Sequence, residues 1–552
     1  MNDLIGKLRQ YISVKNADGL IINTTNEFLV EYNQLALNSR YKVSGFTGST
    51  GDLFLTLDKL YLFVDGRYHE QADLEVDKSL VDVVKLQIGQ SYLSELALKV
   101  KNNSKILMCS NKNSLLFANN LTTLLDPIEA EIELLDEDPV EKILNESKPD
   151  FAVKIHKVPI EITKYSADEK FSKISDTLKL NDYVILTSLE DVAWLTNLRS
   201  FDIPYSANYY AKALISKDKA YLFTDSDIDF VGKSFEICKL DEFTDSIKNI
   251  KNSHVFVDQK SISLRDFHLI NESNEIRESS FYKNKTIKND LEIKHMKSAF
   301  ARADKALDII TKMLADSKVY SELDYYQALE KSFYDNGALS LSFKPIVAAG
   351  KNTSIIHYSK PSKDVMVKDG DFLLVDCGGY YEGGLATDIT RTFIKGTPSI
   401  EQKQVYTTVL KANLNTFFGL YDSTSTWKDI DSFSRAIIDD SNLDGYTFGH
   451  STGHGVGISV HEFPPAVSSS KLSETNIQDH VVFTIEPGMY KPNVGGVRLE
   501  NTVFVSSIEE TVKIEPLSRF TFDRNLIDFE LMSDKDVELL EKWEAISNER
   551  NI

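Results

Sequence analysis

Through the first half of the chain, apolar positions fall in short runs closed by polar turn residues, the pattern of strands and hairpins. Leu57-Asp58-Lys59-Leu60-Tyr61-Leu62-Phe63-Val64-Asp65 places an Asp-Lys turn ahead of one such run. The same arrangement returns 160 residues later (217 minus 57) as Lys217-Asp218-Lys219-Ala220-Tyr221-Leu222-Phe223-Thr224-Asp225. A strand candidate ending in polar residues lies upstream of each, Gly19-Leu20-Ile21-Ile22-Asn23 and Tyr183-Val184-Ile185-Leu186-Thr187. The repetition predicts two tandem domains of one α/β fold.

A different period begins at Glu292. Ile293, Met296, Phe300, Ala303, Ala306, Leu307, Ile310 and Met313 recur every three or four positions, which predicts a long amphipathic helix over Glu292 to Leu314. This helix is expected to open a third domain. From about Leu341 the helical period gives way to glycine-punctuated strand runs such as Phe372-Leu373-Leu374-Val375 and Val481-Val482-Phe483-Thr484-Ile485.

Composition narrows the function. A chain of 552 residues, 42% hydrophobic, can bury several cores, and its net charge of −21 (62 Lys+Arg against 83 Asp+Glu) disfavours phosphate backbones and anionic lipid as partners. The first residues are broken by Asp3, Lys7, Arg9 and Lys15, and no run of about 18 apolar residues occurs, so neither secretion nor membrane spanning is expected. Cys109, Cys238 and Cys377 are an odd, widely spaced set, which fits a reducing cytoplasm.

The chemistry is concentrated near the end. Four of the ten histidines fall between Ile355 and Phe463, interleaved with carboxylates set inside apolar strands. Asp376 follows Leu373-Leu374-Val375 and is expected to be buried, where an anion needs a cation or a metal. The chain then turns through Gly378-Gly379 and Gly383-Gly384 and returns as Ala386-Thr387-Asp388-Ile389-Thr390-Arg391-Thr392-Phe393, so a hairpin brings Asp388 across from Asp376. The geometry recurs in Thr484-Ile485-Glu486-Pro487-Gly488 and Val497-Arg498-Leu499-Glu500, where Arg498 and Glu500 share a strand face. Between them lies Gly449-His450-Ser451-Thr452-Gly453-His454-Gly455-Val456-Gly457, followed by His461-Glu462. Asp376, Asp388, His454, Glu486 and Glu500 form a hard, oxygen-rich set suited to two divalent ions such as Mn²⁺. Two ions roughly 3.5–4 Å apart deprotonate a shared water, and a bridging hydroxide is the expected nucleophile of a hydrolase.

Two other motifs fail on context. Gly449-His450-Ser451-Thr452-Gly453 spells a nucleophile elbow, but Gly453, Gly455 and Gly457 follow where that elbow needs a helix. His69-Glu70 does not complete H-E-x-x-H, because position 73 is Asp.

The ligand order Asp, Asp, His, Glu, Glu resembles that of the pita-bread metallopeptidases, and nearly the whole chain resembles the three-domain, cytosolic type of Xaa-Pro aminopeptidase. Further residues that carry the likeness are Ile355-Ile356-His357-Tyr358, Val375-Asp376-Cys377-Gly378, Thr452-Gly453-His454-Gly455-Val456-Gly457, Val460-His461-Glu462 and Glu486-Pro487-Gly488-Met489-Tyr490. Gly45-Phe46-Thr47-Gly48-Ser49-Thr50-Gly51 with Asp65-Gly66-Arg67-Tyr68 resembles the family's first domain, and Leu189 to Arg199 its second. The resemblance implies a mixed α/β and α+β fold: two tandem creatinase/aminopeptidase-P-type α/β domains, 1–156 and 157–288, before a pita-bread catalytic domain, 289–552. It implies a cytoplasmic, homodimeric enzyme that releases the residue preceding proline from peptides, with two Mn²⁺, Zn²⁺ or Co²⁺ ions. Asp376 would hold one ion, His454 and Glu486 the other, with Asp388 and Glu500 bridging. Glu486 would accept the proton of the shared water. His357 and His461 would stabilise the oxyanion or donate to the leaving nitrogen, His450 would line the proline pocket, and Arg498 would brace a carboxylate.

Two departures from the family pattern stand out. One extra residue separates Asp376 from Asp388, expected in the Tyr380 to Gly384 turn, and Ala386 stands where Thr is common. Asn501 follows Glu500 where an acidic residue is frequent. A prolidase acting on Xaa-Pro dipeptides is the nearest alternative, and a non-catalytic peptide-binding module is a further one. The duplicated front half favours the aminopeptidase.

Overall fold

The structure is a computed structural model that describes residues 1–87, 89–147 and 149–551. The chain folds as two compact units: 1–157, 165–203 and 208–282 in the first, and 158–164, 204–207 and 283–552 in the second.

The first unit contains two six-stranded sheets of the same topology. One is built from β1 (Gly19–Ile22), β2 (Asp52–Thr56), β3 (Leu60–Val64), β4 (Asp82–Lys85), β5 (Lys105–Cys109) and β6 (Glu131–Leu135), in the order β4-β3-β2-β1-β5-β6. The other uses β7 (Asp182–Leu186), β8 (Lys212–Ile215), β9 (Ala220–Phe223), β10 (Phe235–Cys238), β11 (His254–Val257) and β12 (Glu275–Glu278), in the order β10-β9-β8-β7-β11-β12. In each sheet three antiparallel strands are flanked by parallel ones. The two Asp-Lys turns close with equivalent bonds, Thr56 N–H to Lys59 O and Ser216 N–H to Lys219 O, both 2.8 Å. The sheets also share a core that contains Ile21, Phe54, Phe63 and Leu115 from one and Ile185, Leu214, Phe223 and Leu264 from the other. Ser114 and Ser263 each cap a helix, and reciprocal bonds join them: Leu115 N–H to Ile262 O at 3.0 Å and Leu264 N–H to Asn113 O at 2.9 Å.

The second unit opens on helix α1 (Asp290–Ala315), two residues ahead of the apolar period because Asn289 caps it and Glu292 closes a capping box. Its buried face, including Ala303, Leu307 and Ile310, packs with α2 (Glu322–Asp335) against the sheet β13-β14-β15, formed by Ile346–Ala349, Phe372–Cys377 and Ile389–Ile394. A larger cluster joins α3 (Ile400–Phe417), α4 (Trp427–Asp440) and α5 (Asp534–Asn548) to a five-stranded sheet. That sheet has the order β17-β16-β18-β21-β22, from Glu462–Val467, Gly453–Gly455, Val482–Ile485, Asn501–Ile508 and Val512–Pro516, while β19 (Gly488–Lys491) and β20 (Gly495–Arg498) form a separate ribbon. Among the described residues, no helix is long and apolar enough to cross a membrane.

Candidate metal centre

Asp376 lies on β14 opposite Thr390 of β15, and Asp388 stands two residues before Thr390, so the two carboxylates are diagonal neighbours on one face, not directly opposed. The register is continuous from Phe372↔Ile394 to Tyr380↔Ala386, which leaves the excess length of this hairpin in the turn Tyr381 to Leu385. Thr387 N–H reaches Gly379 O at 3.0 Å, so the strand that delivers Asp388 stays in register with its partner.

Arg498 and Glu500 are tied to the same strand. Thr390 Oγ1 accepts from Arg498 Nε at 3.2 Å and donates to Glu500 Oε2 at 2.8 Å, while Glu500 N–H donates to Thr390 O at 3.0 Å. Arg498 ends β20 and Glu500 lies in the link before β21, yet both meet at this hydroxyl. Arg498 Nη2 donates to Asp376 Oδ2 at 2.7 Å, and Nη1 to Tyr490 Oη at 2.8 Å and Ile356 O at 3.3 Å.

His454 sits in the middle of β16. Glycine is needed at 453, because a Cβ there would lie 1.9 Å from Thr484 O. His454 Nδ1 faces Gly455 O at 3.0 Å, a contact that calls for a proton on Nδ1 and leaves Nε2 turned toward the carboxylates. Nε2 lies 3.6 Å from Asp388 Oδ2 and 3.7 Å from Glu486 Oε1. Glu486 is held just beyond β18 by its N–H bond to Thr452 O at 2.8 Å.

Asp388, His454 and Glu500 thus present ligand atoms all within 4.8 Å of one another. Glu486 adjoins this group through His454, and Asp376 through the Arg498–Thr390–Glu500 relay. Burial pushes the Asp388 carboxyl well above the ordinary carboxylate range, and Glu500, Asp376 and Glu486 push in the same direction. Glu500 is raised chiefly by burial, then by Glu486 and Asp376, against the Thr390 hydrogen bond. Asp376 Oδ1 is buried with no hydrogen-bond partner. Crowded carboxyls that disfavour one another's charge, an imidazole nitrogen set among them and an orphaned carboxylate oxygen are what divalent cations would satisfy.

The remaining predicted residues surround this centre unequally. The His461 ring stands edge-on to that of His454, with centroids 4.4 Å apart. His357 follows the helical turn Gly350–Ser354, and its neighbour Ile356 accepts from Arg498. His450 is turned to protein partners: Nε2 is 2.8 Å from Tyr490 Oη and Nδ1 is 2.8 Å from Ser451 O. These contacts make a chain in which Arg498 donates to Tyr490, Tyr490 to His450 and His450 to Ser451 O. Asn501 is engaged on both sides of its amide, as Oδ1 accepts from Arg391 Nη2 and Nδ2 donates to Asn413 Oδ1, each at 2.8 Å. An aspartate there could not make the second bond.

Sequence reasoning did not single out Thr390, Tyr490 or Thr484, whose Oγ1 accepts from His454 N–H at 3.1 Å, as site residues. Thr390 and Thr392 alternate on the strand face that meets Arg498 and Glu500, and that alternation was the available signal.

Comparison with known proteins places this architecture. Residues 294–507 match the Metallopeptidase family M24 and residues 147–292 match the Creatinase/Prolidase N-terminal domain. The probable Xaa-Pro aminopeptidase P of Laccaria bicolor is 27% identical over 98% of this chain and 89% of its own length. Among solved structures, the X-prolyl aminopeptidase of Caenorhabditis elegans, described as a cytosolic enzyme with a di-nuclear active site, superposes with a TM-score of 0.91 at 22% identity, covering 99% of this chain and 95% of that one. The Xaa-Pro dipeptidase of Bacillus anthracis has a TM-score of 0.55 at 28% identity and covers 65% of this chain and 99% of its own. The chain thus carries a domain that matches the M24 metallopeptidases behind one that matches the creatinase/prolidase N-terminal domain. The chain is a homologue of the Xaa-Pro aminopeptidases.

Proposed function

We propose that this protein is a metallo-aminopeptidase that releases the N-terminal residue from peptides carrying proline in the second position. The convergence of Asp388, His454 and Glu500, with Glu486 and Asp376 beside them, is the observation that carries the reading. Asp376, Asp388, His454, Glu486 and Glu500 would hold two divalent cations. Their oxygen-rich character favours Mn²⁺, with Zn²⁺ and Co²⁺ as alternatives. When bound, such ions neutralise the carboxylates, polarise a carbonyl and make a nucleophile of water at neutral pH. Glu486 is the partly accessible carboxylate of the set and is suited to take up the proton of that water. His461 and His357 supply donors for charge developing on the scissile carbonyl or the departing nitrogen. Arg498 orients Asp376 and, through Tyr490, His450.

Relatives named aminopeptidase correspond to 98% of the chain, whereas the dipeptidase corresponds to 65%. This difference favours aminopeptidase action over dipeptide hydrolysis. The matching strand orders of the two front sheets support a division into domains 1–156, 157–288 and 289–552. The family resemblance adds a cytoplasmic location and a homodimer, and light scattering of the purified protein tests the dimer. For the activity, Mn²⁺-loaded protein is offered an Xaa-Pro dipeptide and an Xaa-Pro-Xaa tripeptide. Release of the first residue from the tripeptide supports the proposal, cleavage of the dipeptide alone means a prolidase, and binding without cleavage of either means a peptide-binding module.

A further inference from the structure

Between His454 and Glu462 the chain forms a tight loop, Gly455-Val456-Gly457-Ile458-Ser459-Val460-His461. Gly455 pairs with Glu462, Val456 N–H donates to Val482 O at 3.0 Å, and Ala386 N–H donates to Gly457 O at 2.7 Å. The loop closes over its own last carboxylate. A Cβ on residue 457 would lie 1.9 Å from Glu462 Oε2, so a larger residue there would have to displace this carboxylate, and that same oxygen accepts from Ile458 N–H at 3.2 Å. Oε1 accepts from the ammonium of Lys288, and both side chains are 2% exposed.

Lys288 is itself fully committed. Its other protons go to Lys285 O at 2.8 Å and Thr286 O at 3.2 Å, which satisfies all three donors. Its backbone N–H donates to His480 O at 2.9 Å, and Ile287 bridges to Val481 just before β18, the strand that ends at Ile485, next to Glu486. Lys288 therefore joins the loop that presents His461 to the strand that presents Glu486. Such a pair is poor evidence for stability, because desolvating both charges offsets much of their attraction. A loop conformation that separated the two charges would strand each of them in the interior, at a cost that disfavours it.

We infer that the Lys288–Glu462 ion pair is a positioning device that fixes the His461 imidazole beside His454. The inference rests on the reading of His461 as facing the reacting peptide. Full-length, Mn²⁺-loaded Glu462→Gln and Lys288→Arg are compared with the parent for kcat and KM on an Xaa-Pro-Xaa tripeptide, for Mn²⁺ affinity by equilibrium dialysis, and for hydrogen exchange of the 455–462 amides. Glu462→Gln is expected to lose about 10- to 100-fold in kcat, the range for residues that support a site from behind, with KM and Mn²⁺ affinity unchanged. Lys288→Arg keeps the charge and is expected to retain most of kcat. If the single Gln variant does not fold, the double variant Lys288→Met/Glu462→Met removes both charges, and it is expected to fold with a similarly reduced kcat. Parental kcat in the Gln or double variant overturns the inference, as does a loss of Mn²⁺ affinity matching the loss of rate. If the parent cleaves no Xaa-Pro peptide, the functional reading fails separately. The exchange measurement then decides: faster exchange across 455–462 in Glu462→Gln supports the locking role and unchanged exchange refutes it.

Discussion

Replacing Arg498 by methionine removes the cation that faces Asp376 while nearly preserving side-chain length. Arg498 is 2% exposed and donates to Asp376, Tyr490, Ile356 and Thr390, so its loss leaves four buried acceptors without their donor. Asp376 Oδ1 already lacks a hydrogen-bond partner, and the substitution would strip Oδ2 as well. Removing one member of a buried ion pair costs about 3–5 kcal/mol. For a folding unit of this size that lowers Tm by roughly 6–10 °C, taking about 2 °C per kcal/mol. The loss should be largest in chelator, where nothing else offsets the carboxylates, and smaller with Mn²⁺, which supplies the missing positive charge. A lysine in place of Arg498 would restore a charge but not the fork that reaches Asp376, Tyr490 and Thr390 together, so Arg498→Lys should recover stability better than kcat. Thermal unfolding of parent, Arg498→Met and Arg498→Lys, each with chelator and with Mn²⁺, reads this out. Equal Tm for parent and Arg498→Met in chelator, or the same Tm shift with and without Mn²⁺, would show that Arg498 does not balance the Asp376 charge.

Three further outcomes follow from the same structure. His454→Ala should abolish turnover while far-UV circular dichroism stays that of the parent, and full activity would remove His454 from the ligand set. Replacing proline by alanine after the first residue of the peptide should cost most of kcat/KM, and equal rates would indicate a general aminopeptidase. Asp304, fully buried on α1 with Oδ1 unpartnered, is pushed up to about 7 by burial against the Arg519 N–H bond. Its folded pKa thus lies above its unfolded one: below about pH 4 both states hold the proton, and from about pH 4 to 7 only the unfolded state releases it, which destabilises the fold increasingly. Asp304→Asn should therefore gain little at about pH 4 and at most about 4 kcal/mol above about pH 7 (about 1.36 kcal/mol per pKa unit), seen in urea unfolding at the two pH values. A stability gain independent of pH would contradict it.

The elements with strong local patterns were legible in the sequence. The front repeat could be found because each copy places the same Asp-Lys turn between strands, and α1 because eight apolar residues keep one helical face. Its true start at Asp290 depends on the Asn289 cap, which the apolar period does not report. The five candidate ligands stood out as charges inside apolar strands, an arrangement that a metal explains. Their relative placement was less accessible: Asp376 opposes Thr390 and not Asp388, a matter of register that pattern alone leaves two residues uncertain. Thr390, Tyr490 and Lys288 were hidden for a different reason. Their roles arise from contacts across 110, 8 and 174 positions, and hydroxyl or ammonium groups in strands and linkers usually face water.

The most direct test of the account is a titration of Mn²⁺ into metal-stripped protein while following release of the first residue from an Xaa-Pro-Xaa tripeptide. No release is expected without metal, and the rate should saturate at two equivalents per chain, with His454→Ala and Glu500→Gln failing to reach it. Undiminished release in excess chelator would contradict it.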